Sequence, residues 1–532
     1  MAIQRVIVKN YRALRSADVN LADGLNVIVG DNETGKSTLL EAINLALRCQ
    51  INRRPLAYEL HPYLFNAEAV AEFVASHNAG APMPPPEILI ELYFAQKPEL
   101  AELLGSNNSL RTNDVPGVSL TIKLDEVHCL EQYNEYVADG GAVNSLPVEY
   151  YHHEWLSFAG NQISSRSIAL KSTLIDPSAI SNTFAANKYV LEIIKDYLTK
   201  HQAVGLALSY RHMKEAFLAD DRIKAINEDL AKQKGVVSDK SLSVSMDTTT
   251  RASWETGVLP HLDDIPLTLV GKGEQNAIKI KLAIEADEEC DLFLMEEPEN
   301  HLSHPNLNKL LAHLSARCEG KQLVVTTHSS FVLNKLGIEG VMMFNGTAGV
   351  TLDDLPKETK SYFRRVPGHD TLRMILASRT ILVEGPSDDL IVQKAFRQIH
   401  GCLPIEAGVE VIAVSLSFKR FLDIALRLRL AVSVVRDNDG DSEGKTALFV
   451  DYAYADHIQF CIDGDNNYPT LEPQLLKVNG LEKLNKMLST TFATDEELLG
   501  YMKDNKTDCA LKLFDHADEL TIPDYIQNAV AQ

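Results

Sequence analysis

Between Leu25 and Arg48 the chain reads LNVIVGDNETGKSTLLEAINLALR: a β-branched run, a glycine-bounded loop and a helical pattern in direct succession. Few folds accommodate that order. Gly30 to Ser37 fits GxxxxGKS, and a strand before it and a helix after it are the context a phosphate-binding loop requires. The glycines let backbone N–H groups close around phosphates, Lys36 offers a point charge to the β and γ groups, and the Ser37 hydroxyl suits Mg²⁺. Gly30, Asn32, Gly35, Lys36, Ser37 and Thr38 are therefore the expected ATP-binding set.

A second apolar run, DLFLMEEPENHL, ends in paired carboxylates, with Glu296 expected to hold Mg²⁺ and Glu297 to orient or deprotonate the attacking water. A third, QLVVTTHSS, ends at His328, which is placed to sense the γ-phosphate. In this order the motifs resemble the ABC-type ATPase head of recombination and chromosome-maintenance proteins, in which two heads sandwich two ATP molecules. That resemblance implies a homodimer or higher homo-oligomer, each site completed by the opposite head. The counterpart of the completing signature is VGKGEQ, so Gly271, Lys272 and Gly273 are expected to contact the partner's γ-phosphate, with Lys272 where the family has a glycine.

Charge seems at first to oppose a nucleic-acid partner, since 51 Lys and Arg stand against 73 Asp and Glu, a formal charge of -22 over 532 residues. A cationic coat is excluded. Locally the sign reverses: residues 357–436 hold 13 Lys and Arg against 8 Asp and Glu. Arg364, Arg365, Arg373, Lys419, Arg420, Arg427 and Arg429 are the candidates for backbone phosphates. Seven scattered cysteines without a CxxC pair read as reduced core residues. The start, with Arg5, Lys9, Arg12 and Arg15, breaks any signal-peptide stretch, and no apolar run is long enough to span a bilayer. The expectation is a cytoplasmic protein with no membrane partner.

The last third carries a separate constellation. Glu384 follows the strand-like TILV, Asp388 and Asp389 lie in the following turn, and VVRDNDGD places Asp437 and Asp439 two apart. In an extended stretch that spacing puts both on one face. Glu384, Asp388, Asp437 and Asp439 brought together repel strongly unless hard cations neutralise them, which argues for Mg²⁺ or Mn²⁺. Two such ions can hold both the attacking and the leaving oxygen of a phosphodiester.

EGxxD followed by DxD on successive strand ends resembles the Toprim fold of topoisomerases, primases and some nucleases. With a late Glu472 in TLE and a late Lys506 in NKTDCAL, the whole resembles the overcoming-lysogenization-defect (OLD) family of nucleases. The resemblance implies that Glu384, Asp388, Asp437, Asp439 and Glu472 are metal ligands, Glu384 also a catalytic base, and Lys506 a stabiliser of the pentavalent phosphate. Asp389, Asp441, Asp463 and Asp465 could substitute for or support these ligands.

The expected fold is α/β. An ABC-type P-loop ATPase head over residues 1–355, with a helical, dimerising insertion at about 165–255, precedes a Rossmann-like Toprim domain over 356–532. The expected activity is ATP-regulated, Mg²⁺- or Mn²⁺-dependent cleavage or nicking of DNA, with family precedent for antiphage defence and for a companion defence protein. Two alternatives stay open: an ATP-switched nucleic-acid sensor that recruits another effector, and a Toprim RNase acting on RNA or tRNA.

Overall fold

The computed structural model describes the chain except residues 1, 31–32, 52–53, 139–142, 165–166, 176–189, 192–193, 196–197, 233, 235–239, 248–253, 286–289, 337–339, 353, 366–368 and 532. Alternation of apolar and polar residues makes Ile3–Tyr11 and Leu14–Asn20 a half-buried hairpin. Ile88–Phe94, Val115–Leu124 and Tyr151–Ser157 extend it into an antiparallel sheet.

Against this sheet lies a second, in the order Ser172–Ile175, Leu292–Glu296, Gln322–Thr326, Leu25–Val29, Val341–Phe344 and Gly349–Thr351. Its strands are parallel except for the last pair, and the central ones are apolar runs, as a sheet covered on both faces requires. Helix Lys36–Arg48 is caught between the two sheets, with Leu39, Leu40 and Ile43 fully buried. Each such side chain contributes about 1.5–3 kcal/mol.

One expectation needs adjustment here. Ser172–Ile175 falls within the segment assigned to the helical insertion, yet pairs in register with Leu292–Glu296 and belongs to the ATPase sheet. At four residues it is too short to show a period in the sequence. Within the same segment Lys200–Ala219 and Asp221–Ala231 are helices, the first started by a Thr199–Gln202 capping box. Trp254–Gly257, at the edge of that segment, is a short helix. Past Phe344, where the apolar pattern fades, Gly349–Thr351 still forms an edge strand of the ATPase sheet.

The last third forms a four-stranded parallel sheet, ordered Val409–Ala413, Arg379–Val383, Val432–Arg436, Ile458–Ile462. Side chains alternate between two cores. Ile381, Val383 and Val435 face the helices Pro386–His400, Leu471–Asn479, Lys506–Asp515 and Asp524–Val530. Leu382 and Val434 face the other way, into a core that also holds Val27, Val29 and Val341 of the ATPase sheet. No described helix is long and apolar enough to cross a membrane.

Candidate active sites

The first site is built at the end of Leu25–Val29. Gly35 has φ 89°, and a Cβ there would stand 2.6 Å from Leu14 Cδ2, so only glycine closes the loop. At Gly30 a Cβ would meet the Phe344 carbonyl oxygen at 2.4 Å. Lys36, almost wholly buried, donates from Nζ to the Gly30 carbonyl at 2.9 Å, which holds the ammonium over the loop. Thr38 is buried in the first turn of the helix, and Asn32 lies outside the described residues.

Ser37 Oγ donates to Glu296 Oε1, so the loop hydroxyl and the strand-end carboxylate meet although they are 259 residues apart. The next residue, Glu297, has φ 38°, a left-handed conformation that costs a non-glycine residue of order 1–3 kcal/mol. Asn300 Nδ2 donates to Glu297 Oε2 at 2.8 Å, while His328 Nε2 faces Oε1 at 3.3 Å. Glu299 fixes the histidine loop, accepting from Thr327 Oγ1 at 2.6 Å and from the His328 amide at 3.0 Å. The sequence reading missed Glu299 and Asn300, whose only signal is their place directly after the Glu296–Glu297 pair.

Gly271 and Lys272 are exposed, and Lys272 opens helix Lys272–Glu285 with Gly273 as its second residue. This helix is tied back to the nucleotide-side loop, because Asn276 Nδ2 donates to the Asn300 carbonyl at 3.1 Å.

The second site lies at the carboxyl ends of Arg379–Val383 and Val432–Arg436. In a parallel sheet of this order the chain turns opposite ways from those two strands, leaving a crevice where ligands bind. Glu384 follows the first strand and Asp437 the second. Asp388 and Asp389, expected in a turn, sit in the first turn of helix Pro386–His400, where carboxylates complement the helix dipole. Glu472 is buried in the first turn of Leu471–Asn479, and Lys506 opens Lys506–Asp515 with Nζ 3.4 Å from Glu472 Oε1.

These acids act on one another. Burial first, then the charges of Asp388, Glu384 and Glu472, push the Asp437 carboxyl up to about 8. Burial, together with Glu384 and Glu472, takes Asp388 up to about 6 against the opposing hydrogen bond from the Gly385 amide. Glu384 Oε2 is buried without a hydrogen-bond partner, 3.9 Å from Arg436 Nε. That guanidinium lies against the rings of Phe418 and Phe449, 5.5 and 5.8 Å from their centroids. Arg436 is a residue that the sequence reading left without a role.

Asp439 departs from the expectation. The strand ends at Arg436, and Asn438 holds the following loop by donating from Nδ2 to the Asp463 and Asp465 carbonyls, each at 3.0 Å. Asp439 then takes φ 49° and its carboxylate pairs with Lys445, so the stretch is not extended and the one-face argument does not apply. The reserve acids have local tasks: Asp389 accepts from Gln393, Asp441 caps Ser442–Ala447, Asp463 accepts from the Asp465 amide, and Asp465 pairs with Lys477.

An all-oxygen donor set, an orphaned buried carboxylate oxygen and two acids raised by burial and by one another's charge fit hard divalent cations. Among the described residues no group of three or more His, Cys, Asp or Glu side chains is gathered closely enough to hold an ion as it stands. Asp388 Oδ2 accepts from the Gly385 amide and Glu472 Oε2 from Thr470 Oγ1.

Of the candidate phosphate-binding cations, three are engaged: Arg373 with Glu410 and Asp370, Arg420 with Glu358, and Arg427 with Asp354. Lys419 and Arg429 are exposed. The side chains of Arg364 and Arg365 lie outside the described residues.

Two sites of this kind define the class: an ATPase head joined to a Toprim domain. Family models agree. An AAA ATPase domain model matches residues 1–78, and an AAA domain model whose description names the AbiEii toxin of a type IV toxin–antitoxin system matches 164–334. The TOPRIM domain model of overcoming lysogenization defect protein-like chains matches 375–439. The chain therefore combines AAA ATPase domains with an OLD-like TOPRIM domain toward its carboxyl end, on a mixed α/β framework.

The DNA replication and repair protein RecF of Pasteurella multocida is 33% identical over 73 residues, 13% of this chain and 20% of the relative. The DNA double-strand break repair Rad50 ATPase of Methanopyrus kandleri is 49% identical over 45 residues, 8% of this chain and 5% of the relative. The chain thus spans a fifth or less of these relatives. Among solved structures, the carboxyl-terminal region of the Xanthomonas campestris pv. campestris OLD protein is 19% identical, covers 30% of this chain and 93% of its own, and has a TM-score of 0.25. An Smc head bound to the C-winged helix domain of ScpA is 12% identical, covers 66% of this chain and 98% of its own, and has a TM-score of 0.35.

Proposed function

We propose that the protein is an ATP-regulated, divalent-metal-dependent endonuclease that cleaves or nicks DNA. One observation carries the reading: the charges of Asp388, Glu384 and Glu472 act on the buried Asp437 at the crevice of a sheet that shares its core with the ATP-binding sheet. Glu384, Asp388, Asp437 and Glu472 would hold Mg²⁺ or Mn²⁺, which when bound supplies neutralising charge for a phosphodiester and its attacking water. Glu384 is the candidate base, its Oε2 free of hydrogen bonds. Lys506, half exposed beside Glu472, is placed to meet charge developing on the phosphate.

At the other site Lys36 and Ser37 bind the nucleotide, Glu296 completes the metal set with Ser37, and Glu297 orients water under the control of His328 and Asn300. Gly271, Lys272 and Gly273 are proposed to meet the nucleotide of a second copy, for which their place at the start of a helix, with Gly271 and Lys272 exposed, is suited. Leu206, Met213 and Phe217, exposed on one face of Lys200–Ala219, support a homodimer through this region. The proposed domain limits stay at 1–355 and 356–532. An antiphage role in the cytoplasm rests on the OLD likeness alone.

The test is incubation of the purified chain with supercoiled plasmid, linear DNA or RNA, with Mg²⁺ or Mn²⁺, with and without ATP. Cleavage lost in Glu384→Ala, with nucleotide dependence lost in Lys36→Ala, is the expected result. Cleavage that survives Glu384→Ala sinks the site. The second reading, an ATP-switched sensor without nuclease activity, is favoured by one observation, the pairing of Asp439 with Lys445. Absence of cleavage of any substrate, with nucleic-acid binding that responds to ATP, selects it.

A further inference from the structure

Helix Asp524–Val530 closes the chain against the Toprim sheet and contributes no residue to the carboxylate set described above. It is held firmly. Arg379 donates to the Ala529 carbonyl and His400 Nε2 lies 2.8 Å from the Val530 carbonyl oxygen. The helix packs on strands Val432–Arg436 and Ile458–Ile462 and on helix Pro386–His400. Two of these elements deliver an acid to the crevice, Asp437 directly after its strand and Asp388 in the first turn of the helix, and Asp463 directly follows Ile458–Ile462.

Tyr525 lies within this packing, 5% exposed, in one core with Ile391, Val435, Cys461 and Leu471. Its ring is an ordinary core element. Its hydroxyl is not, because it is buried with no hydrogen-bond partner. A phenol placed in an apolar core without a partner loses its hydration for no return, whereas phenylalanine would fill the same space without that cost. Asp437, Asp388, Asp463 and Glu472 are the charged groups that bear on it. Burial first, then these four charges, raise the phenol well above its ordinary value. The core neighbours Val435 and Leu471 stand two and one residues before Asp437 and Glu472, and a neutral phenol can donate.

We propose that Tyr525 is a positioning residue of the carboxylate site, its hydroxyl donating to a crevice carboxylate, Asp437 foremost, when the acids turn to hold divalent cations. The inference rests on the metal-site reading given above and extends it to a residue outside the motif set. A carboxylate that binds a cation through one oxygen is oriented by a hydrogen bond to the other, and loss of such a partner weakens metal binding by about 10–100-fold. Tyr525 would supply that bond from beneath the sheet.

The experiment compares full-length wild type, Tyr525→Phe and Asp437→Asn without nucleotide or nucleic acid. Mn²⁺ binding is followed by electron paramagnetic resonance, and Tm is measured in chelator. The expected result for Tyr525→Phe has two opposite signs: Mn²⁺ affinity falls by about 10-fold or more, while the metal-free Tm equals or exceeds that of wild type. A structural hydroxyl would not give that pair. Unchanged Mn²⁺ affinity in Tyr525→Phe, with binding lost in Asp437→Asn, overturns the Tyr525 assignment and leaves the metal site standing. A lower metal-free Tm in Tyr525→Phe also overturns it, since the hydroxyl then has a partner in the fold. Wild type that binds no Mn²⁺ overturns both.

Discussion

His328 Nε2 stands 3.3 Å from Glu297 Oε1, so side chains from the ends of two adjacent parallel strands meet beside the phosphate-binding loop. The left-handed backbone of Glu297 and the bond from Asn300 leave that carboxylate few other positions. A group held this way can orient water without first paying to be ordered.

Glu297→Gln keeps the size and the Asn300 contact but removes the base. ATP turnover is expected to fall by about 10²–10⁴-fold, with nucleotide binding retained. Phosphate release measured beside equilibrium nucleotide binding checks this. Equal loss of both would mean that Glu297 holds the fold or the nucleotide instead.

The acid cluster sets a pH dependence of stability. In the folded, metal-free protein Asp437 is raised to about 8 and Asp388 to about 6, against an ordinary carboxyl near 3.8 when unfolded. The folded state therefore holds protons that the unfolded state has released. Stability is fullest below about pH 4 and falls as pH rises, through about 6 for Asp388 and about 8 for Asp437. The difference between wild type and Asp437→Asn isolates the larger part. In chelator, Asp437→Asn should gain on wild type between pH 5 and pH 8, as read from denaturant midpoints. A constant difference across that range would contradict the shift.

Lys506→Met removes the cation beside Glu472 while leaving most of its apolar stem. The cleavage rate of bound substrate should drop by about 10²–10³-fold. Single-turnover cleavage at saturating enzyme measures it, and an unchanged rate would return Lys506 to an ordinary surface lysine.

Leu382→Ala opens a cavity in the core between the two sheets, at an expected cost of about 2–5 kcal/mol. ATP protection against unfolding should weaken in parallel, although Leu382 lies in the Toprim sheet. Thermal unfolding with and without ATP tests this.

Much of this protein is legible in its sequence because its chemistry sits at the ends of apolar strands. Leu25–Val29 and Ile88–Phe94 read directly as strands, and Ser37 with Glu296, or Glu297 with His328, could be paired by motif order alone. Where a single local cue had to decide, the reading failed. Ser172–Ile175 is too short to carry a period, and the left-handed turn at Asp439 comes from Asn438 bonding to carbonyls 25 and 27 residues ahead. The cations around residue 400 looked free because sequence does not show that Arg373 meets Glu410 or Arg427 meets Asp354. Tyr525 carries no motif, and only packing brings it into one core with Val435 and Leu471.

Val27 and Val29 of the strand that feeds the nucleotide loop lie in the same core as Leu382 and Val434, which feed Glu384 and Asp437. The halves are thus not beads on a string. Severing them would bare that shared face to water on both pieces, so neither would make a faithful miniature of its part of the whole. A lineage could not readily trade one half for another without redesigning the seam, so the two would be inherited together.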